Sequence, residues 1–113
     1  MQNNKYSVYV AMLVLSGIGI LATETAMAKT VMVYGDSISA GYGLNPQQGW
    51  VYLLQKRLEQ QYPKKHKVVN ASVSGETSSG GLARLPLALK THRPDIVVLE
   101  LGGNDGLRGQ PPQ

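Results

Sequence analysis

Residues 30–43 read TVMVYGDSISAGYG, and this segment sets the architecture of the chain. Its first five residues are apolar or β-branched, which predicts a short strand buried on both faces. Gly35 ends that strand, and a polar, glycine-rich loop follows it. Two further short apolar runs, KVVNA at residues 67–71 and DIVVLEL at residues 95–101, predict two more strands, and the last is apolar enough to be buried on both faces.

In both intervals between these apolar runs, the apolar residues recur with the spacing of a helix. Residues 47–61 place their apolar side chains on one helical face: Trp50, Val51, Leu53, Leu54 and Leu58. Residues 82–91 repeat the pattern, although Pro86 predicts a kink or the end of a first turn. The order β-α-β-α-β predicts an α/β fold whose strands pair in parallel through right-handed crossovers.

The three segments that follow the predicted strands are the most polar and glycine-rich of the chain. They read GDSISAG at residues 35–41, NASVSGETSSGG at residues 70–81 and GGNDGLRG at residues 102–109. Functional sites in open parallel sheets lie beyond the carboxyl ends of the strands. We therefore expect the functional site at the edge where these three loops meet.

The residue types in these loops fit acyl transfer. Ser37 follows the first strand directly, and a serine at such a turn attacks a carbonyl when a histidine takes its proton. The backbone N–H of Gly75 and the side-chain amide of Asn104 are suitable donors to an oxyanion. Each residue alone also fits an ordinary polar turn, a positive-φ turn or an Asx-turn. Their convergence at one edge favours a catalytic site.

The same segments resemble the sequence blocks of the SGNH (GDSL-like) serine hydrolases. GDSISAGYG, residues 35–43, looks like the first block, residues 70–81 resemble the second, and GGND at residues 102–105 matches the third. The longer stretches NASVSGETSSGGLARLP and VVLELGGNDGLRG are similar to the periplasmic thioesterase I/lysophospholipase/arylesterase branch. The resemblance covers residues 30–113.

This resemblance implies a flavodoxin-like, three-layer α/β/α fold around a five-stranded parallel sheet of order 2-1-3-4-5. It implies that Ser37 is the nucleophile and also lends its backbone N–H to the oxyanion hole. Gly75 would lend a second backbone N–H, and Asn104 its side-chain amide. Residues 106–113 would correspond to a mobile segment beside the acyl-binding groove. The implied substrates are small acyl esters, acyl thioesters and lysophospholipids, and no cofactor is implied.

The family's last block, Asp-x-x-His, is missing from this sequence, because no aspartate is followed by histidine three residues later. His66 and His92 precede the second and third strands, so we expect them at the sheet edge opposite Ser37. We expect a domain truncated after the third strand, which would become a long apolar edge prone to aggregation. We therefore expect the chain by itself to be poorly soluble and hydrolytically inactive.

The first 28 residues have the pattern of a secretory signal peptide. Residues 1–5 carry one lysine, residues 6–22 are apolar and uncharged, and residues 23–28 end in Ala-x-Ala. This pattern predicts cleavage after Ala28 and a periplasmic or secreted protein, with residues 29–113 as the N-terminal part of the hydrolase domain. An uncleaved membrane anchor is the rival interpretation, although the apolar run is short for a span.

Composition argues against several other functions. The net charge is +4, and its only basic cluster, residues 64–67, is better explained as a solvated loop than as a nucleic-acid surface. The loop after the first strand contains no phosphate-binding glycine motif. There is no cysteine, and no set of histidines and carboxylates has metal-ligand spacing. A non-catalytic exported module that binds carbohydrate or peptide on the same fold remains an alternative.

Overall fold

The computed structural model describes residues 27–111, which fold in the predicted order. The elements are β1 (Thr30–Gly35), α1 (Ser37–Ala40), α2 (Trp50–Gln61), β2 (Lys67–Asn70), α3 (Ser78–His92), β3 (Ile96–Glu100) and α4 (Gly103–Leu107). Residues 1–26, most of the predicted signal peptide, lie outside the described part, so cleavage after Ala28 stays a prediction. Among the described helices, none has the length and apolar character to cross a membrane.

The three strands form one parallel sheet in the order β2-β1-β3, as predicted for the first three strands. β1 occupies the centre, and Val33 pairs with Asn70 on one side and with Val98 on the other. This central position accounts for the almost complete burial of Met32, Val33 and Tyr34. The carboxyl ends of all three strands therefore lie at the same edge.

Alternate residues of β1 pack against helices on opposite faces of the sheet. Met32 and Tyr34 form one apolar cluster with Ala88 of α3. Val33 forms a second cluster with Val68 of β2 and with α2 residues that include Val51 and Leu58. This alternation produces the predicted α/β/α layers, since the side chains of a strand point to its two faces in turn.

β3 is less buried than its apolar sequence predicts. In the described sheet it pairs only with β1, and Ile96, Val97 and Leu99 remain exposed. The expectation that this strand is buried on both faces is therefore wrong for residues 27–111, whereas its position beside β1 at the sheet edge is as predicted.

Two helix starts differ from the periodicity-based prediction. α2 begins at Trp50 rather than at residue 47, with Gly49 as its N-cap in an extended conformation. α3 begins at Ser78, four residues before the predicted start, because the Thr77 side chain accepts a hydrogen bond from the Gly80 N–H. A cap of this type satisfies a backbone donor that has no partner within the helix.

Pro86 and the glycine-rich loops after β1 and β3 interrupt helical structure less than the sequence predicts. α3 continues through Pro86 to His92. Pro86 and Leu82 are both exposed, so the carbonyl that loses its intrahelical partner lies on a hydrated face. The loops predicted after β1 and β3 each contain a short helix, α1 and α4.

Candidate active site at the carboxyl edge of the sheet

The loop that follows β2 is joined by hydrogen bonds to the end of β1. The Ala71 N–H donates to the Val33 carbonyl at 2.8 Å, and the Val73 N–H donates to the Gly35 carbonyl at 3.0 Å. In return, the Gly35 N–H donates to the Ser72 hydroxyl at 3.1 Å. The second polar loop therefore starts directly beside the turn that carries Ser37.

Ser37 is the first residue of α1, at a sharp turn just beyond the central strand. The Asp36 carboxylate caps this helix by accepting from the Ile38 N–H at 3.0 Å. The Ser37 carbonyl accepts from the N–H groups of Gly41 and Tyr42, both at 3.1 Å, and Gly41 ends the turn with a φ of 78°. Asp36 is thus engaged in shaping the turn that carries Ser37.

Gly75 and Asn104 lie close together in space. Asn104 binds the residue after Gly75, Glu76, although 28 positions separate the two in sequence. The Asn104 amide donates to the carbonyl of Glu76, the residue after Gly75, at 2.9 Å. The Gly75 carbonyl accepts from an Arg108 N–H at 3.1 Å, and Gly75 has a φ of 80°, which favours glycine. Since an amide nitrogen carries two hydrogens, Asn104 holds this loop and has a second N–H for another acceptor.

The third loop also contacts the turn that bears Ser37. A side chain built on Gly103 would place its Cβ 3.7 Å from the Asp36 carboxylate. Gly103 precedes Asn104, and Asp36 precedes Ser37. The structure therefore brings the three predicted site residues, Ser37, Gly75 and Asn104, to one edge of the sheet.

An ion pair that no sequence pattern indicated supports the loop that contains Gly75. The Arg84 Nε of α3 donates to the Glu76 carboxylate at 2.6 Å. The Arg84 guanidinium also lies 4.8 Å from the centre of the Tyr34 ring, a cation–π distance. The Tyr34 hydroxyl donates to the Gly81 carbonyl at 2.5 Å, and burial raises the pKa of this tyrosine.

Asp105 links α4 to the start of α3. Its carboxylate accepts from the Ser78 N–H at 2.8 Å. Hydrogen bonds from the hydroxyl and the backbone N–H of Ser78 lower the pKa of Asp105, and the nearby Arg108 adds to this effect. The second and third polar loops are therefore connected at three points, through Asn104, Asp105 and Arg108.

Both histidines lie at the opposite edge, as predicted. His66 precedes β2 and accepts a hydrogen bond from the Lys29 N–H, just before the start of β1. β1 has six residues, which at about 3.3 Å per residue separates the two edges by about 20 Å. His92 is the last residue of α3, three residues before Asp95, whose N–H donates to Thr30 at the start of β1. Neither histidine is within the roughly 3 Å that a base for Ser37 requires.

An open cavity of about 930 Å³ lies between α3 and the end of β3. Its apolar wall includes Leu85, Leu99 and Leu101, and residues 106, 110 and 111 contribute to its rim. The described part of the segment that the family resemblance places beside an acyl-binding groove, residues 106–111, therefore borders an apolar cavity next to α4.

These features define an open parallel α/β protein whose serine, glycine and asparagine loops meet at the carboxyl edge of the sheet. The sequence profile of the GDSL-like lipase/acylhydrolase family matches residues 33–113. The chain belongs to this family, which confirms the resemblance inferred from the three strand-end motifs.

Its relatives include esterases and thioesterases. The chain is 59% identical over 93 residues to Esterase TesA of Pseudomonas aeruginosa, an alignment that covers 82% of this chain and 46% of that protein. It is 50% identical over 94 residues to Thioesterase 1/protease 1/lysophospholipase L1 of Escherichia coli K12, covering 83% of this chain and 43% of that protein. The chain thus spans less than half the length of either relative.

Solved structures of esterases share the fold. The crystal structure of TesA superposes with a TM-score of 0.69 at 60% identity, covering 74% of this chain and 46% of that one. The SGNH-hydrolase family esterase AlinE4 gives a TM-score of 0.67 at 35% identity, covering 74% of this chain and 45% of the other. These likenesses confirm the predicted SGNH-hydrolase fold for the strands that the chain contains.

Proposed function

We propose that this chain supplies the nucleophile and the oxyanion hole of an exported serine esterase or thioesterase, which forms an acyl-enzyme on Ser37. The observation that carries the proposal is the convergence of three loops at one sheet edge, with Ser37 at the first position of a capped turn and the Asn104 amide bound beside Gly75. Family membership supports the same reaction class, because the relatives are esterases and thioesterases.

In the proposed reaction the Ser37 Oγ attacks the carbonyl carbon of an acyl ester or thioester while a base removes its proton. The carbonyl π electrons move to oxygen, and the oxyanion accepts hydrogen bonds from the backbone N–H groups of Ser37 and Gly75 and from the Asn104 amide. Collapse expels the protonated alcohol or thiol and leaves the acyl-enzyme. Water then attacks the acyl group, and the acid leaves as Ser37 regains its proton.

The base for this reaction does not come from the 113 residues of this chain. The sequence has two histidines and no Asp-x-x-His, and both histidines lie at the edge opposite Ser37. We therefore propose that the chain is inactive alone and that Ser37 becomes a nucleophile only when a histidine and an aspartate are brought to the carboxyl edge.

The proposed substrates are small acyl esters, including aryl esters, acyl thioesters and lysophospholipids. The names of the two relatives support esters, thioesters and lysophospholipids, and the resemblance to the arylesterase branch supports aryl esters. The apolar cavity beside α4 offers space for an acyl chain. We also propose that the protein is exported to the periplasm or the medium after cleavage behind Ala28. Intact mass spectrometry of the exported protein tests this point, since a mature N-terminus at Lys29 is expected.

The function is tested by joining the whole chain, after its last residue, to the second half of the P. aeruginosa esterase and measuring hydrolysis of a p-nitrophenyl ester and an acyl thioester. We expect turnover by the fusion, and we expect Ser37→Ala to reduce it by at least about 10⁴-fold, the effect of losing a triad member. The unfused chain, assayed in parallel, should give only the background rate.

Two results would count against the proposal in different ways. Hydrolysis by the unfused chain that disappears in Ser37→Ala would contradict its predicted inactivity. A folded fusion that neither hydrolyses esters nor reacts with a fluorophosphonate at Ser37 would favour the non-catalytic binding module instead.

A further inference from the structure

Glu100 ends β3 with its carboxylate directly beneath the turn that carries Ser37. Its Oε1 accepts a hydrogen bond from the Ser39 hydroxyl at 2.7 Å and from the Asp36 N–H at 3.4 Å. We propose that Glu100 is a positioning residue for Ser37, an inference that rests on the proposed function for the role of Ser37 itself. Because Asp36 and Ser39 flank Ser37 in sequence, fixing both of them fixes the serine between them.

Ser39 connects Glu100 to α2 and to β2, the strand at the other edge of the sheet. It is only 2% exposed, its hydroxyl accepts from the Trp50 indole N–H of α2 at 3.2 Å, and its carbonyl accepts from the Asn70 amide of β2 at 2.8 Å. An ionised carboxylate only accepts hydrogen bonds, so the single hydroxyl hydrogen of Ser39 is directed to Glu100. Trp50 therefore donates to Ser39, and Ser39 in turn donates to Glu100.

The contact between Glu100 and the turn depends on a close approach of the main chain. Gly35 pairs with Glu100 in the parallel register of β1 and β3. A Cβ at position 35 would lie 2.8 Å from the Glu100 carbonyl, the Glu100 carboxylate and the Ser39 hydroxyl. The glycine thus leaves the space in which Glu100 and Ser39 meet.

A carboxylate is an unexpected side chain at the end of an otherwise apolar strand. Ile96, Val97, Val98 and Leu99 precede it, and an apolar residue would satisfy the local pattern. Charged residues are seldom placed against a core unless they are paired or hydrogen-bonded. A charge-assisted hydrogen bond is short and geometrically defined, which suits the fixing of a catalytic turn.

The first test measures amide hydrogen exchange in the whole 113-residue chain. Glu100→Ala should accelerate exchange in residues 35–42 by at least about 10-fold, because a hydrogen bond to a charged group is worth at least that factor. Glu100→Gln, whose amide oxygen still accepts, should restore most of the protection. The matched control is Glu59→Ala, since Glu59 also accepts from a backbone N–H but lies on α2, far from Ser37.

Trp50 provides an independent readout because it is the only tryptophan of the chain. Its indole N–H resonance should shift in Ser39→Ala and in Glu100→Ala and stay in place in Glu59→Ala. Ser39→Ala also serves as a second variant in the exchange experiment, and it should accelerate exchange in residues 35–42 if Glu100→Ala fails to fold.

Kinetics of the fusion enzyme separate positioning from general stabilisation. A nucleophile misplaced by about 1 Å loses about 100-fold in rate, so Glu100→Ala should lower kcat by about that factor. KM should change by less than about 3-fold, since Glu100 does not line the cavity beside α4. Glu100→Gln should recover at least a third of the parental kcat.

The outcomes distinguish this inference from the proposed function. Unchanged exchange in residues 35–42, or an equal acceleration throughout the chain, would overturn the role of Glu100 while Ser37-dependent hydrolysis of the fusion still stood. A fusion without Ser37-dependent hydrolysis would overturn the proposed function and the catalytic role of Glu100 together, even if exchange showed that the turn is held.

Discussion

Gly35 lies where the central strand, the turn with Ser37 and the end of β3 come closest. Its position opposite Glu100 leaves no room for a methyl group, because a Cβ would lie 2.8 Å from main-chain and side-chain oxygens. Real Cβ atoms essentially never approach other atoms so closely. Gly106 offers the opposite situation, since a Cβ there would have no neighbour within 4 Å.

Gly35→Ala should therefore lower the free energy of unfolding by about 1–3 kcal/mol, the usual effect of overpacking a tight site. Gly106→Ala, within α4, should leave it unchanged or raise it by up to about 1 kcal/mol, because alanine favours helix. Urea denaturation followed by Trp50 fluorescence measures both. Equal midpoints for the two variants would contradict the close approach at Gly35.

The start of α3 illustrates how one element is held by another. Thr77 caps the helix from within its own loop, and the Asp105 carboxylate binds the Ser78 N–H from α4. A carboxylate at a helix N-terminus is favoured by the positive end of the helix dipole. This contact joins two of the three loops of the candidate site.

Asp105→Asn should change how stability depends on pH. In the folded chain the pKa of Asp105 lies below its unfolded value, so near pH 4 the unfolded chain binds more protons than the folded chain. The stabilisation is thus present above the unfolded pKa and is lost as pH falls through the folded pKa. Asparagine does not titrate, so the unfolding free energy of the variant should fall less steeply between about pH 5 and pH 3.

Urea titrations at several pH values in this range measure the two slopes. Parallel slopes for the parent and Asp105→Asn would show that the contact between Asp105 and Ser78 does not stabilise the folded chain.

The molecule as a whole has one well-covered side and one apolar edge. β1 is enclosed by its two neighbouring strands and two helices, whereas Leu99 of β3 is 66% exposed beside the cavity under α3. Exposed apolar edge strands favour association between chains, and proteins often protect such edges with lysine.

Leu99→Lys should therefore raise by several-fold the highest concentration at which the 113-residue chain is still monomeric. Leu53→Lys is the matched control, because Leu53 is an exposed leucine on α2 and not on a strand edge. Sedimentation velocity over a range of concentrations compares the two. An equal gain from both substitutions would mean that added charge, and not the β3 edge, controls association.

Much of this architecture could be predicted from short-range patterns. The apolar runs located all three strands, and their order with the intervening helices predicted the parallel sheet, whereas the β2-β1-β3 arrangement was implied by the family resemblance. The same reasoning placed Ser37, Gly75 and Asn104 at one edge and His66 at the other. These predictions succeed because periodicity and chain direction are properties of neighbouring residues.

Helix boundaries and burial were harder to predict. α3 starts four residues earlier than its apolar periodicity indicates. Its first turn is held by the Thr77 cap and the Asp105 contact, and neither of these polar contacts contributes to an apolar pattern. β3 is apolar from Ile96 to Leu99, and three of these four side chains are nevertheless exposed, because burial depends on which elements lie beside a strand.

The order of elements, the edge that carries the site and the family were all contained in the linear sequence. The partners of Glu100 were not, although its charge in an apolar strand was a visible signal. Its bond to Ser39 spans 61 residues, and the pair of Arg84 with Glu76 depends on how α3 lies over the sheet. Such contacts are set by strand register and helix packing, which bring together atoms that the covalent chain keeps far apart.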